Sequence, residues 1–320
     1  MKIEVIGGGS LGLLFAAIAA KGSADVLLYT RTSQQAEQIS TSGIGIEYVD
    51  DTHDLVTEGI KLEARAINEF SPSNEEGRWI ILAVKQKHVD AELIAKLQQN
   101  VRIGDRLFCL QNGIGHIERL SQALPHIPVY AAITTEGARK LESYSIRRAG
   151  VGTTRFGQTN STSFSSEEDK QAEQFLIEVF TKAGLPLATS NSIETVIYRK
   201  LLINAIINPL TAIWKIENGA LLHNEYRISI MKEIFDEIVV IYEASGLSAP
   251  LSWWDDVLQV CESTAANRSS MLEDVTRGDS TEVAWISGGI VKLAHRFGVA
   301  APWNQKLLNL IEGMNETESC

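Results

Sequence analysis

The sequence predicts an α/β fold, with a doubly wound parallel sheet at the N-terminal end followed by a mainly α-helical C-terminal domain. Three observations predict it. Strand-like and helix-like segments alternate through the first half of the chain, which is the βαβ rhythm of layered α/β domains. Near-continuous apolar runs such as WIILAV, from Trp79 to Val84, suit strands buried on both faces between helix layers. Beyond residue 165 the apolar residues recur at helical spacing instead. A chain of 320 residues exceeds what one core usually holds, so two domains are expected, over residues 1–165 and 166–320.

The elements follow in order. An apolar strand is read at 2–6, a helix at 11–21, a second strand at 25–29 and a short helix at 34–41. Further strands are read at 45–49, 79–84, 106–110 and 128–133, then at 143–148 and 153–156 around the turn of Gly150 and Gly152. Residues 157–169 (GQTNSTSFSSEED) hold few large apolar side chains and read as a surface linker. Helical spacing then covers 170–183, 192–207, 225–244, 253–263, 281–297 and 303–313, with no further strand expected.

Composition narrows the class. Hydrophobic residues are 44% and charged residues 22%, the balance of an ordinary globular enzyme rather than a collagen-like, disordered or membrane-spanning chain. No apolar run is read as approaching the ~18 residues of a spanning helix. The N-terminal MKIEVIGGGS enters a strand directly, without the apolar stretch of a signal peptide. Cys109, Cys261 and Cys320 are odd in number and far apart, so neither a disulfide framework nor a zinc cluster is supported. His53, His116, His126, His223 and His295 lack metal-ligand spacing, and His88 receives no role. The reading expects a cytoplasmic protein with no membrane partner and no metal. A net charge of −11 has the wrong sign for tracking phosphates along nucleic acid, although a locally basic pocket can still hold a small anion.

Strand one ends in Gly7-Gly8-Gly9-Ser10-Leu11-Gly12, which fits G-x-G-x-x-G between a strand and a helix. Gly7 permits the tight turn, Gly9 leaves room for a pyrophosphate, and Gly12 allows close helix–sheet packing, as in a Rossmann-type dinucleotide fold. The helix N-terminus adds free N–H groups for the phosphates. At the end of the second strand an NAD site usually places a carboxylate. Here the residues are Tyr29-Thr30-Arg31-Thr32, and the guanidinium of Arg31 suits a 2′-phosphate. NADP(H) is therefore the expected cofactor, the alternative being that Arg31 is a solvated loop cation.

In the second domain Lys200, Asn204 and Asn208 fall four apart on one face of an otherwise aliphatic segment. Such groups are costly in a core unless something hydrogen-bonds them. A polar ligand would do so; so would solvent for the lysine and nearby backbone for the asparagines. A lysine in a partly desolvated cleft is a plausible proton donor. Pro209 is expected to end or kink the helix near Asn208. A second polar cluster runs from Asn267 to Asp274 and on through Asp279 to Glu282, where Ser270 and Glu273, and Asp279 and Glu282, have capping-box spacing. Lys85 and Asn112 follow buried strands, where residues of such sheets meet ligands.

These residues together resemble the ketopantoate reductase family (2-dehydropantoate 2-reductase). The likeness is carried by the glycine turn, Arg31, Lys85, the loop from Gln111 to Gly115, the stretch from Lys200 to Thr211, and Ser269–Asp274 with Thr281 and Glu282. It implies reduction of the 2-keto acid ketopantoate to pantoate with NADPH, in pantothenate and coenzyme A formation, at an active site between the two domains. Lys200 resembles the general acid and Glu282 the acceptor of the substrate hydroxyl, making these two the catalytic candidates. Asn204, Asn208 and Ser270 resemble substrate-binding positions, and Asn267 of the same cluster is taken with them. Gly7, Gly8, Gly9, Ser10, Leu11, Gly12, Arg31, Lys85 and Asn112 are the cofactor-side candidates. His88 stands where relatives often have glutamine. Another 2-keto acid as substrate, or a non-catalytic NADP(H) sensor, are the competing readings. The long helices of the second domain offer surface for a homodimer.

Overall fold

Alternating apolar strands and helices close into an eight-stranded sheet in the first half of the chain. The structure, a computed structural model, describes residues 1–49, 55–73, 77–159 and 166–314. Its strands are β1 (Lys2–Ile6), β2 (Asp25–Thr30), β3 (Ile44–Val49), β4 (Leu55–Ile60), β5 (Glu63–Ala66), β6 (Arg78–Leu82), β7 (Arg106–Cys109), β8 (Val129–Thr134), β9 (Gly137–Glu142), β10 (Ser145–Gly150), β11 (Thr154–Gln158) and β12 (Leu187–Thr189). Its helices are α1 (Ser10–Lys21), α2 (Ser33–Ser42), α3 (Ala91–Asn100), α4 (His116–Ala123), α5 (Glu167–Lys182), α6 (Ile193–Trp214), α7 (Glu225–Ala244), α8 (Trp253–Ser263), α9 (Ser270–Arg277), α10 (Ser287–Arg296) and α11 (Pro302–Glu312).

The large sheet runs β12-β11-β8-β7-β6-β1-β2-β5. Strands β5, β2, β1, β6, β7 and β8 are mutually parallel, and β11 pairs antiparallel to β8. From β1 the chain winds to β2 on one side and later to β6 on the other. The strand order therefore reverses between β1 and β6, which is where such sheets bind ligands. The sheet is fastened by a charge network. Arg78, fully buried, lies 2.6 Å from Glu4 and 3.3 Å from Asp105 and also donates to the carbonyls of Ser71 and Asn100.

A four-stranded sheet, β4-β3-β10-β9, was not foreseen from the sequence as a separate layer. Helix α1 packs against β1 and β2 of the large sheet and against β3, β4, β9 and β10 of the small one. Residues 12–19 of α1 are all buried, as expected of a helix that is apolar all round. This sandwich brings β9 close to the glycine turn.

The chain divides into two compact units. The first holds Met1–Gln111 and His116–Ile193; the second holds Asn112–Gly115 and the chain from Glu194 onward. The boundary expected between 165 and 166 thus falls near residue 193. Helix α5 belongs with the first unit because Ala172, Leu176 and Phe180 enter its core and the Trp79 indole donates to the Ala172 carbonyl at 3.0 Å. Strand β12, where no strand was expected, pairs in parallel with β11. The polar stretch read as a linker gives up its two ends to β11 and to α5, which opens with a capping box between Ser166 and Asp169; residues 160–165 lie outside the described residues, as do His53 and Cys320.

The second unit is helical. Its core gathers Leu202, Ala205 and Ile206 of α6 with Ile234, Phe235, Ile238 and Tyr242 of α7, Ile290 of α10 and Ile311 of α11. Helix α6 has 22 residues and a mean hydropathy of 1.3 over its most apolar window. By length and composition it could cross a bilayer, which the sequence reading did not expect; its buried side chains are the core just named. Pro209 does not end this helix, which runs on to Trp214. Proline removes one N–H, whose partner would be the Ala205 carbonyl, while the Thr211 hydroxyl lies 2.8 Å from the Ile207 carbonyl and 3.0 Å from that of Asn208.

Candidate active site

In the first unit the glycine turn is stitched to both neighbouring strands. The Gly7 N–H donates to the Tyr29 carbonyl at 2.8 Å, and the Ala83 N–H donates to the Ile6 carbonyl at 2.9 Å. Gly7 has φ +123°, and a Cβ there would meet the Ala83 backbone at 2.9 Å. A Cβ on Gly12 would lie 1.8 Å from the Gly7 carbonyl oxygen, whereas one on Gly9 would meet nothing within 4 Å. The three glycines thus differ in role: two are required by the fold itself, and the third keeps space open. Gly9 caps α1 with no side-chain cap hydrogen bond among the described residues, and the first turn of the helix holds no acidic residue. Ser10 and Leu11 supply N–H groups of that opening turn. Such an end attracts a phosphate.

Cations follow the two strands that flank this turn. Arg31 is exposed at the end of β2, immediately before Thr32, which caps α2 by accepting from the Gln35 N–H at 3.3 Å. Lys85 follows β6 and is partly buried. Partial burial, together with the charges of Lys87, Arg31 and Lys85, holds the His88 imidazole below its usual range despite Asp90. Gln111, at the end of β7, donates to the carbonyls of Leu82 and Val84 at 2.8 and 3.0 Å, fixing the chain that leads to Lys85. An open backbone cradle at Gly9, with Arg31 and Lys85 following the neighbouring strands, fits a dinucleotide bearing an additional phosphate on its ribose.

In the second unit three sequence-predicted residues come together. Asn112 donates from Nδ2 to Glu282 Oε2 at 2.9 Å. Glu282 in turn acts electrostatically on Lys200, which is partly buried on α6. Burial lowers the Lys200 ammonium to about 8, and the Glu282 carboxylate pulls it back upward. Near neutral pH such an amine is still protonated yet gives up its proton readily, the property of a general acid. Asn204 and Asn208 lie one and two turns further along α6, Asn208 buried and Asn204 partly so. Neither side-chain amide makes a hydrogen bond among the described residues, so their four donor hydrogens, one and two turns along the helix from Lys200, can serve oxygen acceptors.

Other predicted positions differ from expectation. Ser269, not Ser270, caps α9: its hydroxyl accepts from the Leu272 N–H at 3.1 Å and lies 2.7 Å from the Thr211 hydroxyl. Ser270 and Asn267 are exposed. Asp279 caps no helix; it pairs with Arg277 at 3.0 Å, and Glu282 sits in a turn whose carbonyl accepts from the N–H groups of Trp285 and Ile286 before α10 begins at Ser287. The serine cap moves by one because Ser269 is the residue with extended backbone, from which the side chain can reach forward to the Leu272 N–H. Sequence reading also passed over Gln35 and Lys140, whose side chains both bond the Gly8 carbonyl.

Residues 3–161 match the family model described as ketopantoate reductase PanE/ApbA, and residues 192–315 match its C-terminal counterpart. The chain belongs to the ketopantoate reductase family. Among curated ketopantoate reductases, the 2-dehydropantoate 2-reductase of Vibrio cholerae is 31% identical over 100% of this chain and 99% of its own. That of Archaeoglobus fulgidus is 31% identical over 98% of this chain and 97% of its own. The crystal structure of a probable 2-dehydropantoate 2-reductase from Bacillus subtilis is 28% identical, with a TM-score of 0.82 over 98% of this chain and 100% of that one. A D-mandelate dehydrogenase solved with NADH and anilino(oxo)acetate shares the fold, with a TM-score of 0.84 at 21% identity over 99% of both chains.

Proposed function

We propose that this ketopantoate reductase family member is a cytoplasmic NADPH-dependent 2-dehydropantoate 2-reductase, reducing ketopantoate to pantoate. The names of its full-length relatives support the substrate. The observation that carries the chemistry is the partly buried ammonium of Lys200 beside a carboxylate that an asparagine holds in place. NADPH, when bound, supplies the hydride.

The residues of this chain do the rest. The glycine turn from Gly7 to Gly12 receives the pyrophosphate, and Arg31 and Lys85 meet the remaining negative charge of the cofactor. Lys200 holds a proton for the ketone oxygen, and its positive charge stabilises the negative charge that grows there. Glu282 accepts the substrate hydroxyl, held in orientation by Asn112, a residue expected on the cofactor side. Asn204 and Asn208 donate to the substrate carboxylate or ketone. Ser270 and Asn267 are assigned to the outer part of the substrate site, and the active protein is assigned as a homodimer, which sedimentation checks.

The test is loss of NADPH absorbance with ketopantoate and with a panel of 2-keto acids lacking its hydroxyl. Ketopantoate is expected to turn over fastest, and Lys200→Ala to lower turnover by about two orders of magnitude with NADPH affinity retained. Faster turnover of a keto acid without the hydroxyl reassigns the substrate. Wild-type turnover in the lysine variant removes Lys200 from the chemistry.

A further inference from the structure

We propose that Lys140, on β9 of the small sheet, is a second cation for the 2′-phosphate of the dinucleotide, acting beside Arg31. The inference rests on the NADPH reading above and adds a specificity-determining residue to it. Lys140 lies within the glycine turn's own surroundings, because α1 is sandwiched between the two sheets and β9 crosses it. Its Nζ donates to the Gly8 carbonyl at 2.9 Å.

That carbonyl is already served. Gln35 Nε2 donates to it at 2.9 Å while also donating to the Ser143 carbonyl at 2.6 Å. A neutral amide therefore braces the turn without help, and the lysine brings something an amide cannot, which is charge. An ammonium carries three donor hydrogens, of which Gly8 takes one.

The charge is placed at some expense. Burial and the neighbouring Arg31 guanidinium both depress the Lys140 ammonium. Among the described residues no carboxylate forms an ion pair with Lys140 or with Arg31, and β2 ends without the acidic residue that would bind ribose hydroxyls. Two cations held near each other, one of them partly buried, are unfavourable until an anion joins them. A phosphate monoester brings nearly two negative charges and three acceptor oxygens, enough for both groups. Ribose hydroxyls accept hydrogen bonds but bring no charge.

Binding of NADPH and NADH is measured by tryptophan quenching and calorimetry, with 2′,5′-ADP and 5′-AMP as competing probes, in wild type, Arg31→Ala, Lys140→Met and Lys140→Arg. Wild type is expected to favour NADPH and 2′,5′-ADP. Lys140→Met should weaken these by about tenfold, leave NADH and 5′-AMP within about twofold and flatten the salt dependence of NADPH binding; Lys140→Arg should restore them. Equal weakening of both members of each pair makes Lys140 a brace for the turn and overturns the proposal, as does no change in either. A wild type that does not favour NADPH fails the cofactor reading itself, and is told apart because it needs no variant.

Discussion

A lysine ammonium at about 8 is the residue on which the proposed chemistry turns. Burial lowers it and Glu282 raises it, so the two effects can be separated by substitution. The proton-donating form is lost as pH rises, and reduction should therefore fall through pH ~8. Glu282→Gln removes the opposing charge while keeping a group that can bond Asn112. Its descending limb in kcat/KM should move to lower pH by about one unit, read from pH–rate profiles of wild type and variant; an unmoved limb means another group controls it. Lys200, Asn204 and Asn208 were legible as candidates because polar residues at four-residue spacing in an aliphatic helix need a reason, whereas Glu282, which read locally as a capping residue, became a candidate only through the family resemblance. Their partners were not legible, since spacing along α6 says nothing about what faces it.

At the scale of elements, the glycine turn shows how one motif divides its labour. A methyl on Gly12 collides with the Gly7 carbonyl, while one on Gly9 enters open space. Gly12→Ala should lose about 1–3 kcal/mol of stability, seen in chemical denaturation. Gly9→Ala should leave stability near wild type and weaken dinucleotide binding, seen in titrations; the reverse pattern contradicts the assigned roles. The turn was readable because its three positions are local. Two other elements were misjudged for physical reasons. Helix α6 passes through Pro209 because only one backbone donor is lost and a single break in the ladder is affordable within a packed helix. Helix α10 starts at Ser287 rather than at 281, because the chain around Glu282 forms a turn instead.

For the whole molecule, a partly buried ammonium is a stability statement. In the unfolded chain Lys200 titrates near the ordinary lysine value of ~10.4; in the folded chain it titrates near 8. Between these values the unfolded state binds more protons, so stability rises with pH across that window and the penalty is fully present below it. Lys200→Met, similar in volume, should raise the thermal midpoint at pH 7 and show a smaller advantage at pH 10, by scans at both values. An advantage that does not shrink points to packing rather than charge. By itself the sequence determined the alternating first half, the glycine turn, the cation closing β2 and the polar face of α6. Each of these is written in residues a few positions apart, where backbone geometry alone sets which side chains are neighbours. Only the tertiary structure decided that the small sheet covers α1, that α5 returns to the first unit, and that Lys140 meets Gly8 across 132 residues and Asn112 meets Glu282 across 170. Those neighbours are chosen by how distant strands pair and how apolar faces bury one another, and local spacing holds no record of either.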